Sequence, residues 1–273
     1  MRLTDTAYAK INLALHVRKR RPDGYHELET LFAFAEDGDV LGIQPAETLS
    51  LTITGPFAHG LSAGPDNLVL KAAAALAERA GVHAAAAFTL DKRLPIASGI
   101  GGGSADAAAA LRLAARLWKL DPVRPMDVAA GIGADVPACV LSQSCVGTRL
   151  GDQLEQIDGR ALTGLPLLLV NPMLPCPTGP VFTAWDGIDR GALDASGWMT
   201  ARNDLQPPAL ALVPEIGAVL ELLDRQPGNR LTRMSGSGAT CFAIFETLAA
   251  RDEAAAAITR ERPGWWTLAT RLR

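Results

Sequence analysis

The sequence is poor in the residues that build metal and redox centres. It has only four cysteines and four histidines. Cys139, Cys145, Cys176 and Cys241 contain no C-x-x-C pair, which excludes a zinc ribbon or a dithiol redox motif. They read as reduced, buried thiols. No run of about 18 apolar residues exists, so a membrane-spanning helix is not expected. The opening MRLTDTAYAK lacks an apolar signal-type core, and a cytoplasmic protein is expected. An excess of one charge is also missing. The net charge is −3, which argues against a broad basic face and hence against a nucleic-acid partner. The local cluster Arg18, Lys19, Arg20 and Arg21 reads as a solvated turn. What remains is a globular chain, 48% hydrophobic and 20% charged, with length enough for two ordinary domains.

The stretch that organises the rest is LPIASGIGGGSADAAAALRLAARLW, residues 94–118. A proline and four glycines lead into Ser104, a good helix N-cap, and then into an alanine- and leucine-rich helix. Glycines let backbone N–H groups turn inward and an anion approach. A helix start adds free N–H donors and the positive end of the dipole. Together these make a phosphate cradle; the plainer reading is a glycine linker. No Gly-Lys-Ser/Thr follows, so it is not a Walker A loop, and the spacing is not that of a dinucleotide fingerprint.

Residues 6–17 alternate. Ala7, Ala9, Ile11, Leu13, Leu15 and Val17 share one face, and Lys10 and Asn12 are expected on a solvated opposite face. A turn at Pro22, Asp23 and Gly24 makes residues 8–35 a long hairpin, with Tyr25 and His26 opening its second strand. Short strands are expected at 40–43 and 49–53. A helix over 66–80 is capped by Asp66, and a strand over 86–92 runs into the glycine loop. Beyond the loop helix come a helix at 125–130, the segment GADVP with Asp135, and a hairpin of strands at 136–141 and 145–150. Residues 151–163 read as polar and irregular, which sets a domain boundary at 158/159. The second half is α+β: a strand at 165–170, a short helix carrying Phe182 and a helix at 208–223. Strands at 231–234 and 240–245 flank a Ser-Gly-Ser-Gly loop, and a helix at 248–262 and a strand at 265–272 finish the chain.

Three blocks stand in order: AYAKINLALHVRKRRPDGYHELET, LPIASGIGGGSADAA followed by GADVP, and MSGSGAT. Their order resembles the superfamily of galactose, homoserine, mevalonate and phosphomevalonate kinases, over residues 6–246. The first block, K-I-N-L followed by R-P-D-G-Y-H-E, is similar to the branch that phosphorylates a cytidyl-linked polyol for non-mevalonate isoprenoid and terpenoid biosynthesis. The resemblance implies a domain over 1–158 like the second domain of ribosomal protein S5, with a left-handed βαβ crossover. It also implies a ferredoxin-like domain over 159–273, and an active site in the cleft between the two.

The resemblance further implies roles. Lys10 and Asp135 match the catalytic lysine and aspartate. Pro95, Ile96, Ala97, Ser98, Gly99, Ile100, Gly101, Gly102, Gly103, Ser104 and Ala105 match the loop that holds the ATP phosphates. Asn67 and Lys92 match positions near the adenosine. Tyr25 and Phe182 match aromatic residues that sandwich a cytosine, His26 matches the residue that hydrogen-bonds it, and Asn12 matches a polar contact near the substrate. Phosphoryl transfer depends on alignment and charge stabilisation more than on covalent chemistry. ATP with Mg²⁺ would supply the phosphoryl group, Asp135 would take the proton of a 2-hydroxyl, and Lys10 would stabilise the moving charge. Stacking of a base on an aromatic ring contributes roughly 1–3 kcal/mol, enough to select a cytidyl group over a bare polyol. The chain departs from the pattern at Ala97 and Ser98, where glycines are usual, at Ala105, where a second serine is usual, and at Ala138 after GADVP. The alternatives are a kinase for homoserine, mevalonate or a sugar, and a non-catalytic sensor of the same fold. Tyr25 and His26 argue against the first and the Lys10–Asp135 pair against the second.

Overall fold

The computed structural model describes residues 2–122 and 124–273. Its elements begin with β1 (Leu3–Arg20), β2 (His26–Gln44), β3 (Ser50–Thr54), α1 (Leu68–Ala80), β4 (Ala87–Asp91) and α2 (Gly102–Leu117). Then come α3 (Arg124–Ile132), α4 (Val136–Leu141), β5 (Cys145–Arg149), β6 (Gln153–Gln156) and β7 (Pro166–Asn171). The chain ends with α5 (Thr178–Thr183), α6 (Gln206–Leu212), α7 (Glu215–Asp224), β8 (Asn229–Met234), β9 (Cys241–Phe245), α8 (Leu248–Glu261) and β10 (Trp266–Arg271). Two compact units form. One holds the stretch up to Lys10, Asp37–Ile96 and Gly101–Ser142; the other holds Ile11–Glu36, Ala97–Ile100 and Gln143–Arg273. The long strands β1 and β2 each contribute to both. Where two strands were expected, β2 runs unbroken past an exposed acidic pair, Glu36 and Asp37.

In the first unit, the end of β2 runs antiparallel to β4, and β3 lies parallel to β4 on its other side. A parallel pair needs a crossover, which α1 supplies. Asn67, not Asp66, caps α1: its side-chain oxygen accepts from the Val69 N–H at 2.9 Å. Asp66 is instead held by the Ser62 hydroxyl at 2.7 Å. Gly81, in the left-handed region, closes α1 as expected.

The helix after the glycine loop starts before Ser104. Gly101 is its N-cap, and Gly102 and Gly103 form its first turn. A glycine can hold the left-handed conformation at a cap, so the chain needs no side-chain oxygen there. Residues 105–111 of α2 are all buried. Such all-round burial suits a helix of small side chains enclosed by neighbours, here α1, α3 and α4. The segment expected as a strand at 136–141 is the helix α4. Pro137 lies in its first turn, where the missing N–H costs nothing.

In the second unit, β5 pairs antiparallel with the first half of β2 and with β6, so residues 151–163 are less irregular than expected. The remaining sheet has the order β10-β7-β9-β8, all antiparallel. Helices α5 to α7 join β7 to β8, and α8 joins β9 to β10. This β-α-β-β-α-β arrangement is the ferredoxin-like one. The expected helix at 208–223 is two helices, because Pro214 interrupts it between α6 and α7. Leu168, Val170, Ile216, Val219, Leu222, Phe245 and Ile258 form the centre of the core here.

The alternation in β1 holds, but its second face is not solvated. Ala7, Ala9, Ile11, Leu13 and Val17 are fully buried, and Lys10, Asn12 and His16 are each only 3% exposed. A buried lysine and asparagine require partners, since an unpaired polar group in the interior is costly. Those partners lead to the site.

Candidate active site

Lys10 finds its partner across the first unit. Its Nζ lies 3.0 Å from Asp135 Oδ2. Asp135 precedes α4, yet its side chain makes no capping hydrogen bond. It is therefore not spent on the helix. Its side chain is 36% exposed while that of Lys10 is 4% exposed, so the carboxylate is reachable and the ammonium is held behind it. The Lys10 stem also runs against Gly101. A Cβ on Gly101 would stand 3.0 Å from Lys10 Cε, and the backbone there has φ +65°. The pair thus sits beside the junction of glycine loop and α2, where free N–H groups collect.

A second ionic cluster lies beneath the same junction. Lys92 Nζ is 2.5 Å from Asp39 Oδ2 and 2.6 Å from Asp106 Oδ2. All three side chains are buried. Asp39 Oδ1 also accepts from the backbone N–H of Arg93 at 2.5 Å and of Leu94 at 2.8 Å. The cluster therefore joins the entry of the loop to the first turns of α2. Burial disfavours the Lys92 ammonium, but the two carboxylates outweigh it and its pKa is raised. Burial pushes the Asp106 carboxyl up to about 7 against the pull of Lys92, with Asp39 adding to the rise. Asp106 Oδ1 has no hydrogen-bond partner. Sequence reading had Lys92 near an adenosine and missed Asp39 and Asp106. One signal was present: an aspartate inside the small apolar run SADAAAA, where a buried charge needs a counter-ion.

In the second unit, residues 97–100 of the loop pack against the Ser-Gly-Ser-Gly turn after β8. Ser235 Oγ donates to the Gly99 carbonyl at 2.9 Å and accepts from the Asn12 N–H at 3.2 Å. A Cβ on Gly99 would stand 2.6 Å from the Ser235 carbonyl oxygen, so no other residue fits. Ser98 and Ile100 are buried, whereas Ile96 and Ala97 are exposed. In the first unit, Pro95 and Ala105 are buried and Ser104 is half-buried. Asn67 commits both ends of its amide, to the α1 cap and to the Ser62 carbonyl.

The aromatic residues gather at the hairpin tip of the second unit. The Phe182 ring lies 5.1 Å from the His26 ring at 37°, and the Trp185 ring 5.7 Å from it, edge-on. Tyr25 stands 63% exposed, while His26 is buried. Burial, and then the charge of Arg20, lower the His26 pKa. Its ring is therefore neutral at neutral pH. The Asn12 amide donates to Thr30 Oγ1 at 2.7 Å, and Thr30 in turn donates to the Ala14 carbonyl. A cavity of about 610 Å³ opens between Trp185, Arg190, Arg202, Gln206 and Arg233. Its arginines are already paired, Arg190 with Asp186, Arg202 with Asp204, and Arg233 with the Leu13, Trp198 and Met199 carbonyls. Among the described residues, no helix is long and apolar enough to cross a membrane, and no group of three or more His, Cys, Asp or Glu could hold a metal. All four cysteines are free and buried.

Comparison with known proteins defines the class. The family model for the GHMP kinases N terminal domain matches residues 67–143, and that for the GHMP kinases C terminal domain matches residues 190–263. The fold is the α+β, two-domain fold of an ATP-using small-molecule kinase. A 4-diphosphocytidyl-2-C-methyl-D-erythritol kinase of Rhizorhabdus wittichii is 55% identical, covering 100% of this chain and 96% of the relative. One of Novosphingobium aromaticivorans is 54% identical over 100% and 94%. A crystal structure of 4-(cytidine 5'-diphospho)-2C-methyl-D-erythritol kinase superposes with a TM-score of 0.85 at 32% identity, over 99% of each chain. The chain belongs to the 4-diphosphocytidyl-2-C-methyl-D-erythritol kinase family.

Proposed function

We propose that the chain transfers the γ-phosphoryl group of ATP to the 2-hydroxyl of 4-diphosphocytidyl-2-C-methyl-D-erythritol, giving the 2-phosphate and ADP. The observation that carries the chemistry is the Lys10–Asp135 pair at 3.0 Å, beside a glycine-capped helix start. Asp135 accepts the hydroxyl proton as the oxygen attacks phosphorus. Lys10 keeps positive charge next to that carboxylate and stabilises the transferring group. Residues 95–105 form the loop that holds the phosphates, through those backbone N–H groups left free at the start of α2, with Asn67 and Lys92 on the nucleotide side. Tyr25 and Phe182 stack on the cytosine, His26 hydrogen-bonds it, and Asn12 contacts the substrate. Mg²⁺ takes few protein ligands and mostly phosphate and water oxygens, which fits the exposed Asp135 carboxylate and the Ser104 hydroxyl. The ion would neutralise phosphate charge there. The separate matches at 67–143 and 190–263 support a division into domains 1–158 and 159–273. The setting is cytoplasmic isoprenoid biosynthesis.

ADP release in a coupled assay, with the cytidyl substrate, homoserine, mevalonate and galactose in parallel, tests this reading. Turnover is expected with the cytidyl substrate. Preferential turnover with any of the other three contradicts it.

Two variants separate the halves of the site. Tyr25→Ala should raise KM for the cytidyl substrate and leave ATP affinity nearly unchanged. An equal loss for both would make Tyr25 a structural hairpin residue. Gly102→Val puts a Cβ 3.1 Å from Lys92 Nζ and branches it further into the Asp39 cluster. ATP binding should be lost while circular dichroism shows a folded chain, and normal nucleotide binding would sink the cradle.

A further inference from the structure

We propose that Arg20 is the positioning residue that sets base specificity: it locks His26 in one tautomer and ties it to the helix carrying Phe182. This rests on the cytidyl reading of the His26 site. Arg20 ends β1, and its side chain reaches two groups. Its Nε donates to His26 Nε2 at 3.3 Å, and its Nη2 donates to the Thr183 carbonyl at 3.0 Å. Thr183 is the last residue of α5 and directly follows Phe182. One guanidinium thus holds the imidazole and the backbone beside the ring that packs on it at 5.1 Å.

The tautomer follows from donor counting. Guanidinium has five N–H donors, no acceptor and no accessible neutral form. The nitrogen it faces must therefore offer a lone pair. His26 Nε2 is unprotonated and the proton sits on Nδ1. A protonated ring would set Nε2–H against Nε–H of Arg20. The locked ring presents Nδ1–H, a donor, to a ligand. Cytosine offers a lone pair at N3, whereas uracil carries N3–H there. A fixed donor accepts the first and repels the second, while a ring free to exchange tautomers would tolerate both. Discrimination of this kind is strong because the wrong base leaves a donor facing a donor.

The charges around His26 are few. Arg20 faces it from β1. Glu27 follows it on β2 and is held by Lys19 at 3.2 Å. Arg149 on β5 lies opposite Leu28. Helix α5 carries no charged residue, and Asp186 beyond Trp185 is paired with Arg190. Removing the Arg20 charge therefore lets the His26 pKa rise.

The test compares the full chain with Arg20→Met and Arg20→Lys; Arg20 is exposed. Kinetics are measured from about pH 5.5 to 8.5 with the cytidyl substrate, its uridyl analogue and ATP, and ¹⁵N NMR of the imidazole is recorded on the free proteins. Arg20→Met should raise KM for the cytidyl substrate by about tenfold, the size of a lost charge-assisted hydrogen bond. It should lower the cytidyl-to-uridyl ratio of kcat/KM by a similar factor and leave KM for ATP unchanged. It should also move the acid limb of kcat/KM to higher pH and give mixed imidazole tautomers. Arg20→Lys restores the acid limb, because it keeps the charge, but not the discrimination, because it lacks the fork. Unchanged base selection and an Nδ1–H ring in Arg20→Met overturn the proposal. So do an ATP affinity and a melting temperature that fall in step with substrate affinity. If the parent turns over no cytidyl substrate, the function fails, and the NMR still decides the lock on its own.

Discussion

Asp135→Asn should lower kcat by roughly 10²–10⁴, the range for loss of a general base. Asparagine keeps the size and shape of the side chain and removes only its basicity. Were Asp135 a helix cap, asparagine would serve as well. The Asp135 side chain caps nothing; it points to Lys10 Nζ at 3.0 Å. Affinity for both substrates and the melting temperature should therefore change little. Lys10→Ala should also be slow, and the double variant should lose much less than the product of the two single losses, since the residues act as a unit. A kcat for Asp135→Asn within a few-fold of the parent would remove Asp135 from the mechanism.

Lys92→Met should destabilise the chain by about 3–5 kcal/mol, the effect of leaving a buried charge uncompensated. It would strand Asp39 and Asp106, both buried, without the ammonium that lies within 2.6 Å of each. The pH dependence has a definite sign. The folded Asp106 carboxyl already sits at about 7, above its unfolded value, so the folded state binds the extra proton. That contribution is present at acid pH and is lost as pH rises through the folded value. Without Lys92 the folded value climbs further. The melting temperature of Lys92→Met should therefore fall more steeply than the parent's between about pH 6 and pH 8. Asp106→Asn added to Lys92→Met should recover part of the stability and flatten that slope. A parent-like melting curve across this range would show that the cluster carries no net burden. Because Asp39 also holds the Arg93 and Leu94 amides, KM for ATP should rise in Lys92→Met.

Local pattern made much of this fold legible. Alternation gave the buried face of β1, and Gly81 gave the end of α1. The glycine-to-alanine transition gave the start of α2 to within a turn. The failures have physical causes. Alternation shows which side chains are apolar but cannot show what covers the other face, so Lys10 and Asn12 were expected in solvent. The segment at 136–141, VPACVL, is apolar at every residue, and a short apolar run does not distinguish a buried strand from a buried helix. Pro137, a first-turn residue, was the neglected sign. Asp66 and Asn67 are both good caps, and only the Ser62 contact decides between them. The Asp39–Lys92–Asp106 cluster joins residues 53 and 14 positions apart, a separation that motif spacing does not reach. The tie from Arg20 to His26 and Thr183 was hidden for the same reason, inside a basic run that reads as solvated.

The central claim is a phosphoryl transfer to one hydroxyl, and the product tests it most directly. The chain is incubated with ATP, Mg²⁺ and 4-diphosphocytidyl-2-C-methyl-D-erythritol, and the mixture is followed by ³¹P NMR and mass spectrometry. One new phosphomonoester on the 2-oxygen should appear in step with ADP, with the cytidyl diphosphate intact. ADP without a new ester, or an ester on another oxygen, would contradict the account.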